Sequence, residues 1–256
     1  MKHLIYVPFS GLGIHDKQRP DKYWSYRVQI FRSYTFKSLV NQECKNFTLW
    51  MSFRPQDKEA SFVNELEIIM KDSGLDYIFT FDGVAMWDDR GVENNDTLKQ
   101  RMSRMLLQLK PIIKDEKWVY ITGLGSDDML SADAVAEIQK EEPKAKKALY
   151  YHSGWIFDSR TGQLGEWNRD TPCSKYTIIY PAEVFNDVDK YWDYEFACLK
   201  SHEYITSCYD AKRLPDGRYA CVVHGANIST DWFHVFRGRE IFEEKEKSLI
   251  LKKFGI

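Results

Sequence analysis

Val119-Tyr120-Ile121-Thr122-Gly123-Leu124-Gly125-Ser126-Asp127-Asp128-Met129-Leu130 is the stretch on which the reading of this chain turns. A short apolar, β-prone run ends in two adjacent carboxylates, and a helix-start signal follows at Ser131. Two negative charges therefore stand at the carboxyl end of a predicted buried strand. Ligands of open α/β sheets bind beyond such strand ends, and hard divalent cations take oxygen ligands. Acids so placed suit Mg2+ or Mn2+ held against a diphosphate. Asp127 and Asp128 also read as caps for a helix beginning near Ser131, because Asp and Ser favour helix starts.

Strands and helices alternate on the amino-terminal side of this stretch. Leu4 to Val7 is apolar and β-prone, and a loop rich in Gly, Ser and Pro runs from Pro8 to Pro20. Trp24, Val28, Phe31, Thr35 and Leu39 recur at spacings of four and three, which predicts an amphipathic helix. Phe47 to Phe53 reads as a buried strand; Phe62, Leu66, Ile69 and Met70 mark a helix ending near Gly74. Tyr77 to Phe81 is a third strand, closing at Asp82, and Leu98, Met102, Met105, Leu106 and Leu109 form a helical stripe stopped by Pro111. Trp118 to Thr122 is the fourth strand. Three strand–helix units in a row predict a mostly parallel sheet with helices on both faces.

Past residue 147 the texture changes. Ala148 to Asp158 is β-prone, Asp158 to Gly162 is turn-like and predicts a hairpin, and Leu214 to Arg218 is a turn before the strand Tyr219 to Val223. A charged helix closes the chain from about Arg239 to Lys253. The expected organisation is one α/β domain over residues 1–256, with a more irregular carboxyl-terminal half.

Composition narrows the classes. The 256 residues, 43 % hydrophobic, suffice for an ordinary core. A net charge of −2 gives no electrostatic footprint for sequence-independent nucleic-acid binding. Five cysteines without a C-x-x-C pair read as buried free thiols in a reducing compartment. No apolar run is long enough to span a membrane, and the expected location is cytoplasmic. Eight Trp suit either a sugar-binding cleft or, more commonly, an aromatic core.

Familiar catalytic signatures are missing: Ser10-Gly11-Leu12-Gly13 lacks the third glycine of a dinucleotide loop, and no P-loop, G-x-S-x-G or H-E-x-x-H occurs. Ala220 to Ser229 is more telling. Its β-prone run ends in His224-Gly225, placing an imidazole at a strand end, where it suits a metal ligand or a structural hydrogen-bonder.

Four segments together resemble glycosyltransferases of the GT-A fold, most closely their rhamnosyltransferase-like group. They are Arg27 to Gln42, similar to the opening helix with its Ser-Leu and Gln; Gly125-Ser126-Asp127-Asp128-Met129-Leu130, similar to the acidic metal motif; Gly154 to Gly162; and Val222 to Ser229, similar to a late His-Gly-x-Asn segment. They occur in the family's order over about residues 4 to 230.

The resemblance implies transfer of a sugar from a nucleotide-diphosphate sugar to a hydroxyl acceptor such as a glycan, with Mn2+ or Mg2+. Residues 1–147 would bind the nucleotide sugar, 148–238 the acceptor, and 239–256 would form a closing helix. Asp127, Asp128 and His224 would hold the metal; Arg27, Asp82, Ser126 and Asp127 would face the donor. Gly125 stands where the family carries a first acid, and Thr122-Gly123 where it often carries an arginine, so metal dependence or donor choice is open to change. An inverting reaction needs a base for the acceptor proton, for which Glu203 and His202 lead, followed by Asp193 and Glu195. Asp88, Asp89 and Arg32 are weaker donor candidates, and Trp87, Trp155 and Trp167 are candidates for stacking on a sugar. Capping, surface charge and core packing are the competing readings for all of these. Rival functions are a nucleotidyltransferase acting on sugar phosphates and a non-catalytic sugar- or protein-binding module; an acceptor base in DNA is disfavoured by the charge balance.

Overall fold

The computed structural model describes residues 1–10, 12–13, 19–85, 95–190, 202–227 and 230–256. In chain order the strands of its two larger sheets are β1 (Lys2–Pro8), β2 (Thr48–Phe53), β3 (Asp76–Phe81), β4 (Trp118–Gly123), β5 (Asp128–Leu130), β6 (Lys147–Tyr150), β7 (Gly154–Asp158), β8 (Gln163–Trp167), β9 (Tyr176–Pro181), β10 (Ala211–Arg213), β11 (Tyr219–Val223) and β12 (Glu240–Ile241). The principal helices are α1 (Asp21–Ile30), α2 (Phe36–Val40), α3 (Ser61–Lys71), α4 (Asn95–Ile113), α5 (Ala134–Gln139) and α6 (Glu244–Lys252).

The central sheet has the order β10-β6-β9-β4-β1-β2-β3. Strands β4, β1, β2 and β3 are mutually parallel, and β9 alone runs against its neighbours. A second sheet, β12-β8-β7-β11-β5, stands beside it. The expected α/β class with a mostly parallel sheet is therefore what the chain forms. Strands from beyond residue 147 complete the central sheet, while β5, from before it, pairs with β11 in the second.

Alternation along each strand sends neighbouring side chains to opposite faces. Ile5, Val7, Leu49, Met51 and Phe53 pack with Val28 and Phe31 of the first helical region and with Phe62, Leu66 and Met70 of α3. Leu4 and Trp50 turn the other way, onto Met102, Met105, Leu106, Leu109 and Ile113 of α4. Helices thus cover both faces, as the periodicity predicts.

Three local expectations are corrected. The helix expected through Leu39 is interrupted by a π-helical turn at Phe31–Thr35, which keeps Phe31, Thr35, Ser38 and Leu39 all buried. Helix α4 continues through Pro111 to Ile113, because its last turn still buries Leu109 and Ile113 against the sheet. The acidic pair does not cap a helix at Ser131: the extended β5 follows at once, and α5 starts only at Ala134.

A buried polar chain crosses the central strands. His3 Nε2 lies 2.8 Å from Thr122 Oγ1, which lies 2.6 Å from Thr177 Oγ1, while Gln139 Nε2 stands 3.0 Å from His3 Nδ1. Burial lowers the His3 pKa to about 3. Between that value and about 6.5 the unfolded chain takes up a proton that the folded chain refuses, so stability falls as pH falls through this window, by about 1.4 kcal/mol per pH unit. Urea unfolding at pH 7 and pH 5 is expected to show that loss. His3→Phe, though weaker at pH 7, is expected to show a smaller difference between the two.

Candidate functional site

The parallel strands β1, β2, β3 and β4 end at one edge. The strand order reverses between β1, whose chain continues to β2 and β3, and β4 on its other side, and such switch points form the binding crevice of open sheets. Ser126 and Asp127 leave β4 at this edge. A backbone turn, Asp128 N–H to Gly125 O at 3.1 Å, then folds the chain into β5.

Two side chains of the first helical region hold β5 in place. Ser38 Oγ accepts from Leu130 N–H at 3.3 Å. Gln42 donates to Ser131 O at 2.8 Å and to Ser38 O at 3.0 Å, and its Oε1 accepts Val135 N–H at 3.1 Å. That last contact satisfies a first-turn donor of α5, which no residue of α5's own cap reaches. The Ser-Leu and Gln of the first quoted segment thus act on the acidic turn from another element.

Asp127 Oδ2 collects three donors: Arg27 Nη1 at 2.8 Å, His224 Nε2 at 3.1 Å and Asn227 Nδ2 at 3.1 Å. Arg27 Nη1 also lies 2.9 Å from His224 Nε2, and Arg27 Nη2 donates to Ser126 Oγ. Burial pushes the Asp127 carboxyl up, but the His224 hydrogen bond and the Arg27 charge outweigh it and hold the group well below the usual carboxylate range. Asn227 Oδ1 accepts His224 N–H at 2.8 Å, and Tyr26 Oη donates to His224 O at 2.7 Å. Asn227 and Tyr26 thereby fix the loop that carries the imidazole.

Asp128 has a different cationic partner. Its Oδ2 meets Lys175 Nζ at 2.9 Å, and the same ammonium lies 2.8 Å from Cys221 Sγ, with the rings of Tyr219 and Trp167 at 5.5 and 5.6 Å. Burial pushes the Asp128 carboxyl up against the pull of Lys175. Burial also works against the Lys175 charge, yet Asp128 and the nearby thiols lift its pKa above the ordinary lysine range.

The structure brings Arg27, Ser126, Asp127 and His224 into direct contact, with Asp128 next door. It does not place His224 as a ligand on the same terms as the acids. The ring is 2 % exposed; Nε2 faces Asp127 and Arg27, and Nδ1 stands 3.4 Å from Ala226 N–H. When Nε2 donates to Asp127, with Nδ1 accepting from Ala226 N–H, Nε2 keeps no lone pair for a cation, and its 2.9 Å approach to Arg27 Nη1 is then a contact between two donors.

Asp82 lies inside the fold. Its Oδ1 accepts from Ser52 and Thr80, and its Oδ2 lies 3.4 Å from Arg101 Nε, bracing β2 and β3 against α4. Glu203 and His202 both meet Arg169 Nη2, each at 3.4 Å; Arg169 stacks on Trp167 at 5.2 Å, and Trp167 borders Lys175. Trp167 is a core residue and Trp155 is half-buried. Arg32 is exposed. Trp87, Asp88, Asp89, Asp193 and Glu195 lie outside the described residues.

Lys175, Asn227 and Tyr26 are site residues that sequence reasoning missed as such. Asn227 sits inside a quoted segment, whereas Lys175 follows a Cys-Ser turn with no periodic signal. Arg27→Met removes the cation from a buried carboxylate, which costs about 3–5 kcal/mol. Arg32→Met, at the exposed position one turn on, is expected to change stability by about 0.5 kcal/mol or less. Chemical denaturation of both variants measures the contrast.

No protein-family model and no curated protein sequence matches the chain. Among solved structures, S. aureus TarS 1–349 in complex with UDP is similar at 13 % identity, covering 99 % of this chain and 70 % of that one with a TM-score of 0.43. The inositol-1-phosphate CTP transferase from T. maritima is similar at 13 % identity, 99 % and 96 % coverage and a TM-score of 0.39. The 4-diphosphocytidyl-2C-methyl-D-erythritol synthase from Anaerococcus prevotii is similar at 11 % identity, 97 % and 94 % coverage and a TM-score of 0.40.

Proposed function

We propose that the chain transfers a sugar from a nucleoside-diphosphate sugar to a hydroxyl acceptor. The observation that carries this reading is the Asp127–Asp128 pair at the carboxyl edge of the parallel sheet, one carboxylate fixed by Arg27, His224 and Asn227 and the other by Lys175. A phosphorylated ligand entering the crevice at the β1–β4 switch point meets this pair first.

Gly125 decides whether the pair suits a divalent cation. Its absent Cβ would stand 2.3 Å from Asp128 Oδ2 and 3.0 Å from Asp127 Oδ1. Asp128 Oδ2 and Asp127 Oδ1 therefore converge beside residue 125, where only glycine leaves them room. Among the described residues no three His, Cys, Asp or Glu side chains converge as a closed metal centre. Two carboxylates with phosphate and water oxygens are, however, a common way to bind Mg2+, so Asp127 and Asp128 fit the ion without His224. Such an ion, when bound, offsets the charge that builds on the departing nucleoside diphosphate.

The remaining tasks fall to the chain's own groups. His224 and Arg27 keep Asp127 ionised, Asn227 helps to turn it so that Oδ1 faces Gly125, and Lys175 orients Asp128. Glu203 and His202, gathered by Arg169, are the described groups available to accept the acceptor's proton. A nucleotidyltransferase would use the same carboxylates, and its product tells it apart.

Calorimetry with UDP, GDP and dTDP plus Mn2+ is expected to show binding of at least one by the wild type. Asp127→Asn is expected to weaken it about tenfold or more, as for loss of a charged contact. Equal binding by both proteins rejects the role given to Asp127. With a sugar nucleotide, release of nucleoside diphosphate supports glycosyl transfer, and consumption of a nucleoside triphosphate with release of pyrophosphate supports the rival.

A further inference from the structure

Arg27, the arginine that the sequence offers for a phosphate, has little left to give one. It is 8 % exposed, and both its terminal nitrogens are committed, to Asp127 and to Ser126. A second guanidinium at the same edge is arranged differently. Strands β7 and β11 run parallel with Asp158 opposite Val223, so Ser159-Arg160 and His224-Gly225 leave the second sheet side by side.

Asp158, with 2 % of its side chain exposed, spends both carboxylate oxygens on Arg160. Oδ1 accepts Arg160 N–H at 2.9 Å and Nε–H at 3.0 Å, and Oδ2 accepts from Nη2 at 2.7 Å. This fork fixes the plane of the guanidinium. Nη1 is left over: among the described residues it has no hydrogen-bond partner, and the side chain is 50 % exposed. It lies against Gly225, whose absent Cβ would stand 3.2 Å from Nη1 and 3.4 Å from Cδ. Gly225 has φ +81°, the left-handed region that favours glycine, so the residue after His224 meets two demands at once. The titratable groups facing Arg160 from neighbouring segments are the Asp231 carboxylate and the Tyr26 phenol. Asp231 is engaged in capping the turn Trp232–Val235 through Phe233 N–H at 2.9 Å.

We propose that Arg160 binds an oxyanion of the substrate at the mouth of the site, next to His224, with Asp158 and Gly225 as the residues that aim it. A planar guanidinium held by one carboxylate and open along another edge is suited to phosphate or carboxylate oxygens. The oxyanion belongs either to the diphosphate of the donor or to an acidic acceptor. Only that choice of source rests on the glycosyl-transfer reading above.

Calorimetry on the whole chain tests this with inorganic pyrophosphate, with UDP, GDP and dTDP, and with inorganic phosphate added to protein already saturated with nucleoside diphosphate. Thermal melts check that Arg160→Gln, Arg160→Lys and Asp158→Asn are folded. If the donor supplies the oxyanion, Arg160→Gln weakens pyrophosphate and nucleoside diphosphates together by about tenfold or more. If the acceptor supplies it, nucleoside diphosphates bind as before and the additional phosphate is lost. In either case Arg160→Lys retains part of the binding, and Asp158→Asn shows an intermediate loss. Wild-type affinities in Arg160→Gln for every anion overturn the proposal while leaving the glycosyl-transfer reading untouched. Wild-type binding of pyrophosphate through Arg160 without binding of any nucleoside diphosphate upholds the proposal and removes that reading. A wild type that binds none of these anions overturns it as well.

Discussion

The carboxylate of Asp127 is the constraint on which the rest of this edge depends. A buried charge without partners is costly, and here three donors from distant parts of the chain answer one oxygen: Arg27 from the first helix, His224 and Asn227 from the loop after β11. The two sheets meet at this atom. Because Oδ2 absorbs all three contacts, the orientation of the carboxylate is set, and Oδ1 is the oxygen turned toward Gly125. Asp128 is treated as a separate problem, with its own cation in a pocket of Cys221, Trp167 and Tyr219. Adjacent acids of one turn are thus each given an internal cation of their own, while the Asp127 charge still pushes the Asp128 carboxyl up.

The contrast between Arg27 and Arg160 follows from how each is held. Arg27 gives every terminal nitrogen to the protein and is buried, so its charge belongs to the architecture. Arg160 gives one edge to Asp158 and keeps the other in solvent. Guanidinium groups serve both ends because the fork geometry lets half of the donors anchor the group while the rest recognise something else.

Much of the fold was legible because its signals are periodic. The alternation in Leu4 to Val7 and Leu49 to Phe53, and the stripes through α3 and α4, place the helices on both faces of a mostly parallel sheet. What was not legible is set by tertiary partners. The extended β5 looked like a helix start because Asp-Asp-Met-Leu-Ser has local cap chemistry; pairing with β11 and the Gln42 side chain override it. Pro111 looked like a stop, yet the core contacts of Ile113 carry α4 past it. At the site, Asp127, His224, Arg27 and Ser126 were readable as a set through the order of motifs. Their mutual contacts were not, and neither was Lys175, whose role comes only from the buried space between β5, β11 and its own turn. Gly125, read in the sequence as a missing acid, is a steric requirement once Asp128 Oδ2 is seen at 2.3 Å from its empty side-chain position.

The interleaving of the two sheets has a consequence for how the molecule comes into being. Strand β5, emerging early from a ribosome, has no sheet to join until β11 arrives some ninety residues later. The central sheet likewise waits for β9 and β10. Pairings of such separation are slow to close, so competence would be acquired only after β11 and the loop that follows it have been made. A nascent chain halted before residue 219 would hold Arg27, Lys175 and the acidic turn but would lack β11 and the His224–Asn227 loop that complete their surroundings.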